Sequence, residues 1–110
     1  MTEMTAEKIR QTRGPKIAFE GRLIANTDFN AAGGTMFIEL WETRAGNWIA
    51  VSSHEPNDDR RPIDTRATVI EKSGDEMAMR IAALDHWDWV NQARDMTRKQ
   101  LKWDMTVEVA

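Results

Sequence analysis

Hydrophobic and polar residues alternate along the first half of the chain with the two-residue period of β-strands. The segments that show this period are 16–25, 35–43, 48–53 and 65–72. Polar or turn-forming residues separate these segments, so consecutive strands are expected to pair side by side. The pattern therefore predicts an antiparallel meander of three to five strands.

The connections between these strands are read from their turn-forming residues. We predict a loop over 26–34, a tight turn at 44–47 and a solvated polar loop over 54–64, which contains two prolines. Gly21 interrupts the first strand, where a glycine is typical of a bulge or of a close approach between backbones.

The register of the turn at 44–47 decides which side chains share a face of the sheet. If Arg44 lies opposite Asn47, Leu40 faces Val51, and three aromatic residues meet on the other face. Those residues are Phe37, Trp41 and Trp48. Both faces of the sheet would then be apolar, and exposed aromatic patches usually mark interaction sites. Two alternatives follow for this aromatic face. A second copy of the chain or another protein partner buries it, or the N-terminal arm and the loop over 26–34 fold over it.

The second half of the chain changes to helical spacing. Apolar residues recur at helical intervals through 77–84, and Ser73 and Glu76 have the spacing of a capping box, which predicts a helix over 74–86. Alternation within 77–81 leaves a strand paired with the fourth strand as the alternative.

The segment 85–95, "DHWDWVNQARD", has the density of carboxylates, histidine and tryptophan typical of a metal or acid/base site. Plotted at about 100° per residue, however, its apolar side chains gather on one side through Leu101, as in an amphipathic helix. We predict that this last helix is capped by Asp85 or Asp88 and runs to about Trp103. A short closing strand is predicted at 105–109.

These elements predict an α+β fold, with two C-terminal helices packed on one face of the meander. Residues 1–15 are expected to form a flexible arm with one helical turn around 6–11. Residues 16–110 form a single domain, which suits a chain of 110 residues.

Composition excludes several chemistries. The chain contains no cysteine, so disulfides, thiolate catalysis and cysteine-based metal sites are ruled out. The formal net charge of −3 does not favour nucleic-acid binding as a whole-molecule property. No segment reaches the roughly 20 apolar residues of a membrane span, and no signal peptide is apparent, so we expect a cytoplasmic protein.

The segments "KIAFEGRLIA" (16–25) and "IELWETRAGNWIAV" (38–51) resemble the opening strands of the small bacterial EXLDI family. The likeness covers roughly the first half of the chain. The chain ends "MTVEVA" and lacks the Glu-x-Leu-Asp-Ile signature of that family. The resemblance implies a small bacterial α+β protein and transfers no catalytic residue.

The two histidines, His54 and His86, are the side chains that best suit a polar pocket, together with Arg60. His54 and Glu55 resemble the start of a zinc-protease motif, but Pro56 disfavours the helix on which that motif depends. The carboxylates in the loop over 54–64 lie beside arginines and lack the spacing of a calcium loop. We predict no catalytic residue, no metal and no cofactor.

Basic residues follow one another on the last helix, where they could contact phosphates or simply face solvent near the helix C-terminus. They are Arg94, Arg98, Lys99 and Lys102. The sequence favours a non-enzymatic interaction module that acts as a homodimer through the aromatic face. The alternative is a small-molecule-binding or enzyme-like domain with a pocket near His54 and His86.

Overall fold

The computed structural model describes residues 3–110 as an antiparallel sheet of five strands followed by two helices. The strands are β1 (Thr5–Ile9), β2 (Ile17–Ala31), β3 (Gly34–Thr43), β4 (Trp48–Pro56) and β5 (Asp64–Ile70), and the helices are α1 (Glu76–His86) and α2 (Asn91–Leu101). Each strand pairs with the next along the chain, in the order β1-β2-β3-β4-β5. The predicted α+β meander is confirmed, and the segment predicted as a helix over 74–86 forms α1 (Glu76–His86) rather than a strand.

Several predicted boundaries are wrong. The helical turn expected around 6–11 is instead β1, which pairs with β2; residues 1 and 2 of the predicted arm lie outside the described part of the chain. The loop expected over 26–34 shrinks to a two-residue turn, because β2 continues to Ala31 and β3 starts at Gly34. The closing strand expected at 105–109 is absent, since these residues form neither strand nor helix.

The helix ends also differ from the prediction. α1 is capped by Asp75, whose carboxylate accepts a hydrogen bond from the Ala78 main-chain N–H at 3.0 Å, and not by a Ser73–Glu76 box. Asp85 belongs to α1, and α2 begins only at Asn91, so neither Asp85 nor Asp88 caps it.

Two local features set which side chains face the helices. In β2, Leu23 lies opposite Trp41 but Ala25 lies opposite Leu40, so Ile24 forms a bulge that moves the following residues to the other face. Gly21 is a close approach, because a Cβ there would lie 2.5 Å from the Glu42 carbonyl oxygen.

The two faces of the sheet have different partners. Both helices pack on one face, here called the helix face, around side chains such as Leu40, Ala50 and Ile70. The opposite face is called the concave face, and its Ile49 and Val51 are buried with no helix over them. They are covered because the sheet curls: Thr12, beyond β1, donates its N–H to the Thr65 carbonyl of β5 at 2.9 Å.

Candidate functional site

The two histidines of the chain lie on one cleft at the end of the helix face. His54 is near the end of β4, and His86 is the last residue of α1. Strand alternation turns Ser52 and His54 toward the helices, and α1 stops before it covers them. The resulting cleft has a volume of about 360 Å³. Its lining residues are Met36, Ser52, His54, Asp64, Arg66, His86 and Asp88.

His86 is fixed by two hydroxyl groups of the sheet. Its Nε2 lies 3.3 Å from Ser52 Oγ on β4, and its Nδ1 lies 2.8 Å from Thr68 Oγ1 on β5. Burial lowers the pKa of His86, although the main-chain carbonyl of Arg66 and the charge of Asp88 act in the opposite direction. The imidazole is therefore held in a defined orientation and favours its neutral form, which both donates and accepts a hydrogen bond.

The turn after α1 places Asp88 on the cleft. Trp87 is buried and donates its indole N–H to the Val51 carbonyl at 3.0 Å, which anchors the turn to β4. The next two residues, Asp88 and Trp89, have left-handed backbones with φ values of 54° and 53°. This conformation costs a non-glycine residue about 1–2 kcal/mol. The buried Trp87 holds the chain in this turn, so one continuous helix from 85 to 103 does not form.

The cleft continues into an apolar pocket of about 270 Å³. Met36, Ser52, His86 and Asp88 line both spaces. The additional lining of the pocket is Phe29, Ala31, Ile38, Trp87 and Val90. Together the two spaces form an amphipathic site, with hydrogen-bonding side chains at one end and hydrocarbon at the other.

Ser52 and His86 are the residue types of a nucleophile and a general base, but the groups around them favour ligand binding over acyl transfer. Acyl transfer needs donors around the developing oxyanion, which are usually main-chain N–H groups. Ser52 lies in a strand that pairs on both sides, opposite Ile38 and Arg66. The main-chain N–H groups around it are therefore engaged in hydrogen bonds between strands and are not free to bind an oxyanion. Within residues 3–110, no group of three histidine or carboxylate side chains is placed to hold a metal ion.

The structure places the residues of the predicted polar pocket in two different regions. His54 and His86 line the same cleft, whereas Arg60 lies outside it, with its side chain 90% exposed and paired with Asp58. The arginine of the cleft is Arg66, which sequence reasoning missed. The pairing of Ser52 with Arg66 would have identified it, but that register depends on the long loop before β5.

The predicted aromatic face is wrong. Phe37 and Trp41 lie on the concave face, but Trp48 lies on the helix face, where it stacks on Trp103 with ring centroids 5.3 Å apart. The turn after Thr43 has three residues, with Gly46 at φ 89°, so Leu40 pairs with Ala50 rather than with Val51. A shift of one residue moves every side chain of β4 to the opposite face. The homodimer stays a prediction.

The predicted basic residues lie on α2 or just after it, and all four are exposed. Arg98 pairs with Asp95 at 3.0 Å, and Arg94 donates to the Asn91 side chain. Lys102 is the residue that ends the helix. Of the four cations, only Arg98 pairs with a carboxylate within residues 3–110, so the basic face keeps most of its positive charge.

Comparison with family models, curated proteins and solved structures finds no match for this chain, so the resemblance to the EXLDI family stays a prediction. No helix within residues 3–110 is both long enough and apolar enough to cross a membrane.

Proposed function

We propose that this protein binds a small amphipathic molecule in the histidine cleft. The observation that carries the proposal is that His54 and His86, brought together from β4 and α1, line a polar cleft that opens into an apolar pocket. A ligand with a hydrogen-bonding head and a hydrocarbon or aromatic body fills both parts. Such sites combine apolar walls with a few placed polar groups.

The polar end suits a head that both accepts and donates hydrogen bonds. Arg66 is a donor, Asp64 and Asp88 are acceptors, and neutral His86 supplies either role. Arg66 pairs only loosely with Asp64, at 3.5 Å, so its guanidinium can turn toward a ligand at little cost.

The test is an NMR titration of protein labelled at its histidine rings. Three probes, phenol, benzoate and benzylamine, present a neutral, an anionic and a cationic head on the same aromatic ring. At least one of them should shift the signals of both histidines saturably at millimolar concentration. The absence of any saturable shift with all three probes would refute the proposal.

Substitutions then locate the ligand. Met36→Trp fills the junction of the two spaces and should abolish the shifts, whereas Met105→Trp makes the same change near Trp103, outside the cleft. Ala31→Leu narrows only the apolar pocket and should weaken binding if the body enters it. Equal effects of Met36→Trp and Met105→Trp would contradict the assignment.

A further inference from the structure

Charges are segregated between the two faces of the sheet. The strand positions on the concave face carry carboxylates but neither lysine nor arginine. These carboxylates are Glu7, Asp28, Glu39 and Glu55, one from each of β1 to β4. None of the four takes part in an ion pair within residues 3–110. The concave face therefore carries negative charge that no side chain of the sheet compensates.

Three of the carboxylates surround one aromatic ring. Phe37 of β3 lies opposite Asp28 of β2 and, on its other side, opposite Ser53 of β4. Glu39 follows two residues later on the same face, and Glu55 holds the diagonal position on β4. Directly opposed side chains have Cβ atoms about 4.5–5.5 Å apart, and diagonal pairs about 7–8 Å. Phe37 is thus the floor of a small acidic enclosure.

This enclosure is a cavity of about 360 Å³. Besides Phe37 and the three carboxylates, its lining includes Asn26, Ser53, Ile63 and Thr65. The lining therefore combines apolar and hydrogen-bonding side chains. A molecule inside would contact the ring and the carboxylates together.

Glu39 is half-buried, whereas Asp28 and Glu55 are exposed. Burial raises the pKa of Glu39, the nearby Trp41 indole lowers it by less, and the charge of Glu7 raises it further. No lysine or arginine within residues 3–110 forms an ion pair with Glu39. The free protein therefore holds a half-buried acid without a positively charged partner.

We propose that this cavity binds an organic cation, an alkylammonium or guanidinium group, over the ring of Phe37. A cation above an aromatic face is attracted by the negative charge of the ring face, and more strongly when water is excluded. The surrounding carboxylates supply the hydrogen-bond acceptors such a group requires. Because the described residues offer no set of three metal ligands, the ring and the isolated carboxylates favour an organic cation over a metal ion. This site lies on the opposite face of the sheet from the histidine cleft.

The test is calorimetry with methylguanidine and n-butylamine, at constant ionic strength, together with an acetylated and amidated arginine peptide. Saturable binding is expected for at least one of these cations. Glu39→Gln and Asp28→Asn should each weaken it about fivefold or more. Phe37→Leu keeps an apolar side chain and should also weaken it. Tighter binding of the peptide identifies a basic side chain of a partner as the source of the cation; tighter binding of the free amines identifies a small molecule.

Glu71→Gln is the matched control, because Glu71 is exposed just beyond β5 and outside the cavity. It removes the same charge and should leave affinity unchanged. Equal weakening by Glu71→Gln and Glu39→Gln would mean general charge attraction and overturn the site. Absence of saturable binding by every cation would overturn it as well. Glu39→Gln removes an unfavourable half-buried charge, so loss of folding does not obscure the result.

Discussion

Two titratable side chains are held half-buried on opposite faces of the sheet, and burial disfavours the charged form of each. The pKa of Glu39 is raised and that of His86 is lowered, in both cases mainly by burial. Each group therefore makes protein stability depend on pH. The acid Glu39 lowers stability as pH rises, and the base His86 lowers it as pH falls.

Glu39→Gln should stabilise the protein at neutral pH. Because the folded pKa of Glu39 is raised above its ordinary 4.5, the neutral form stabilises the fold below 4.5, and this stability is lost as pH rises through the folded value. The gain from glutamine should therefore be seen near neutrality and vanish in acid. Urea denaturation of wild type, Glu39→Gln and Glu71→Gln across this range measures it. A gain that persists unchanged in acid would contradict the buried-charge explanation.

His86 should make the protein less stable in mild acid. Since its folded pKa lies below the ordinary 6.5, the unfolded chain binds the proton first, and the free energy of unfolding falls as pH drops below 6.5. His86→Gln should lose this part of the pH dependence. Urea denaturation at about pH 7.5 and about pH 5.5 compares the two proteins. The same acid-induced loss of stability in both would show that His86 is not responsible.

At the scale of elements, α2 ends on a residue with an unfavourable backbone. Lys102 has φ 59° in the left-handed region, and its N–H binds the Thr97 carbonyl. Glycine is the usual residue at such an end because it lacks a Cβ. The helix is therefore stopped by its packing, in particular by the burial of Trp103, and not by a capping residue.

Substitution by glycine should have opposite effects at Lys99, within α2, and at Lys102, just after it. Lys102→Gly relieves the left-handed strain and should raise stability by about 0.5–1 kcal/mol, whereas Lys99→Gly, within the exposed helix, should lower it by about 1 kcal/mol. Both variants remove the same charge, so electrostatics cancels in the comparison. Thermal or urea denaturation measures the difference, and effects of the same sign would show that the left-handed residue is not strained.

At the scale of the whole molecule, the curl of the sheet depends on the segment that follows β1. Thr12 Oγ1 accepts from the Thr65 N–H at 2.7 Å, and Gln11 Oε1 accepts from the Ala67 N–H at 3.0 Å. These bonds join the predicted arm to the edge of β5. They cover that edge and bring Ile49 and Val51 into the interior.

Thr12→Val keeps the shape of the side chain but removes its acceptor, so the Thr65 amide should exchange its hydrogen faster. Gln11→Ala should do the same for the Ala67 amide. Hydrogen exchange followed by NMR resolves the two sites, and each variant is the control for the other. A hydrogen bond contributes about 0.5–1.5 kcal/mol, so exchange should accelerate several-fold. Unchanged exchange at Thr65 in Thr12→Val would show that the arm does not close the sheet.

The fold class and the presence of helices in the second half of the chain could be predicted from the sequence, because the hydrophobic period depends only on local geometry. Alternation from Ile17 onward identified the strands, and helical spacing through 77–84 identified α1. It also placed both histidines in a candidate polar pocket. The two-residue period of a strand does not, however, indicate which strand it pairs with or where a turn contains an extra residue.

The register of the strands and the curling of the sheet that brings β5 to the segment after β1 depend on tertiary contacts. One extra residue in the turn at Gly46 moved Trp48 away from Trp41, and the Ile24 bulge changed the face of β2. β1 has too few apolar residues to be predicted as a strand, and it is stabilised by pairing with β2. Arg66 joined the cleft, and Asp28, Glu39 and Glu55 met around one ring, because strand pairing joins residues far apart in the chain. Such contacts depend on long-range hydrogen bonds and packing, which local patterns do not encode.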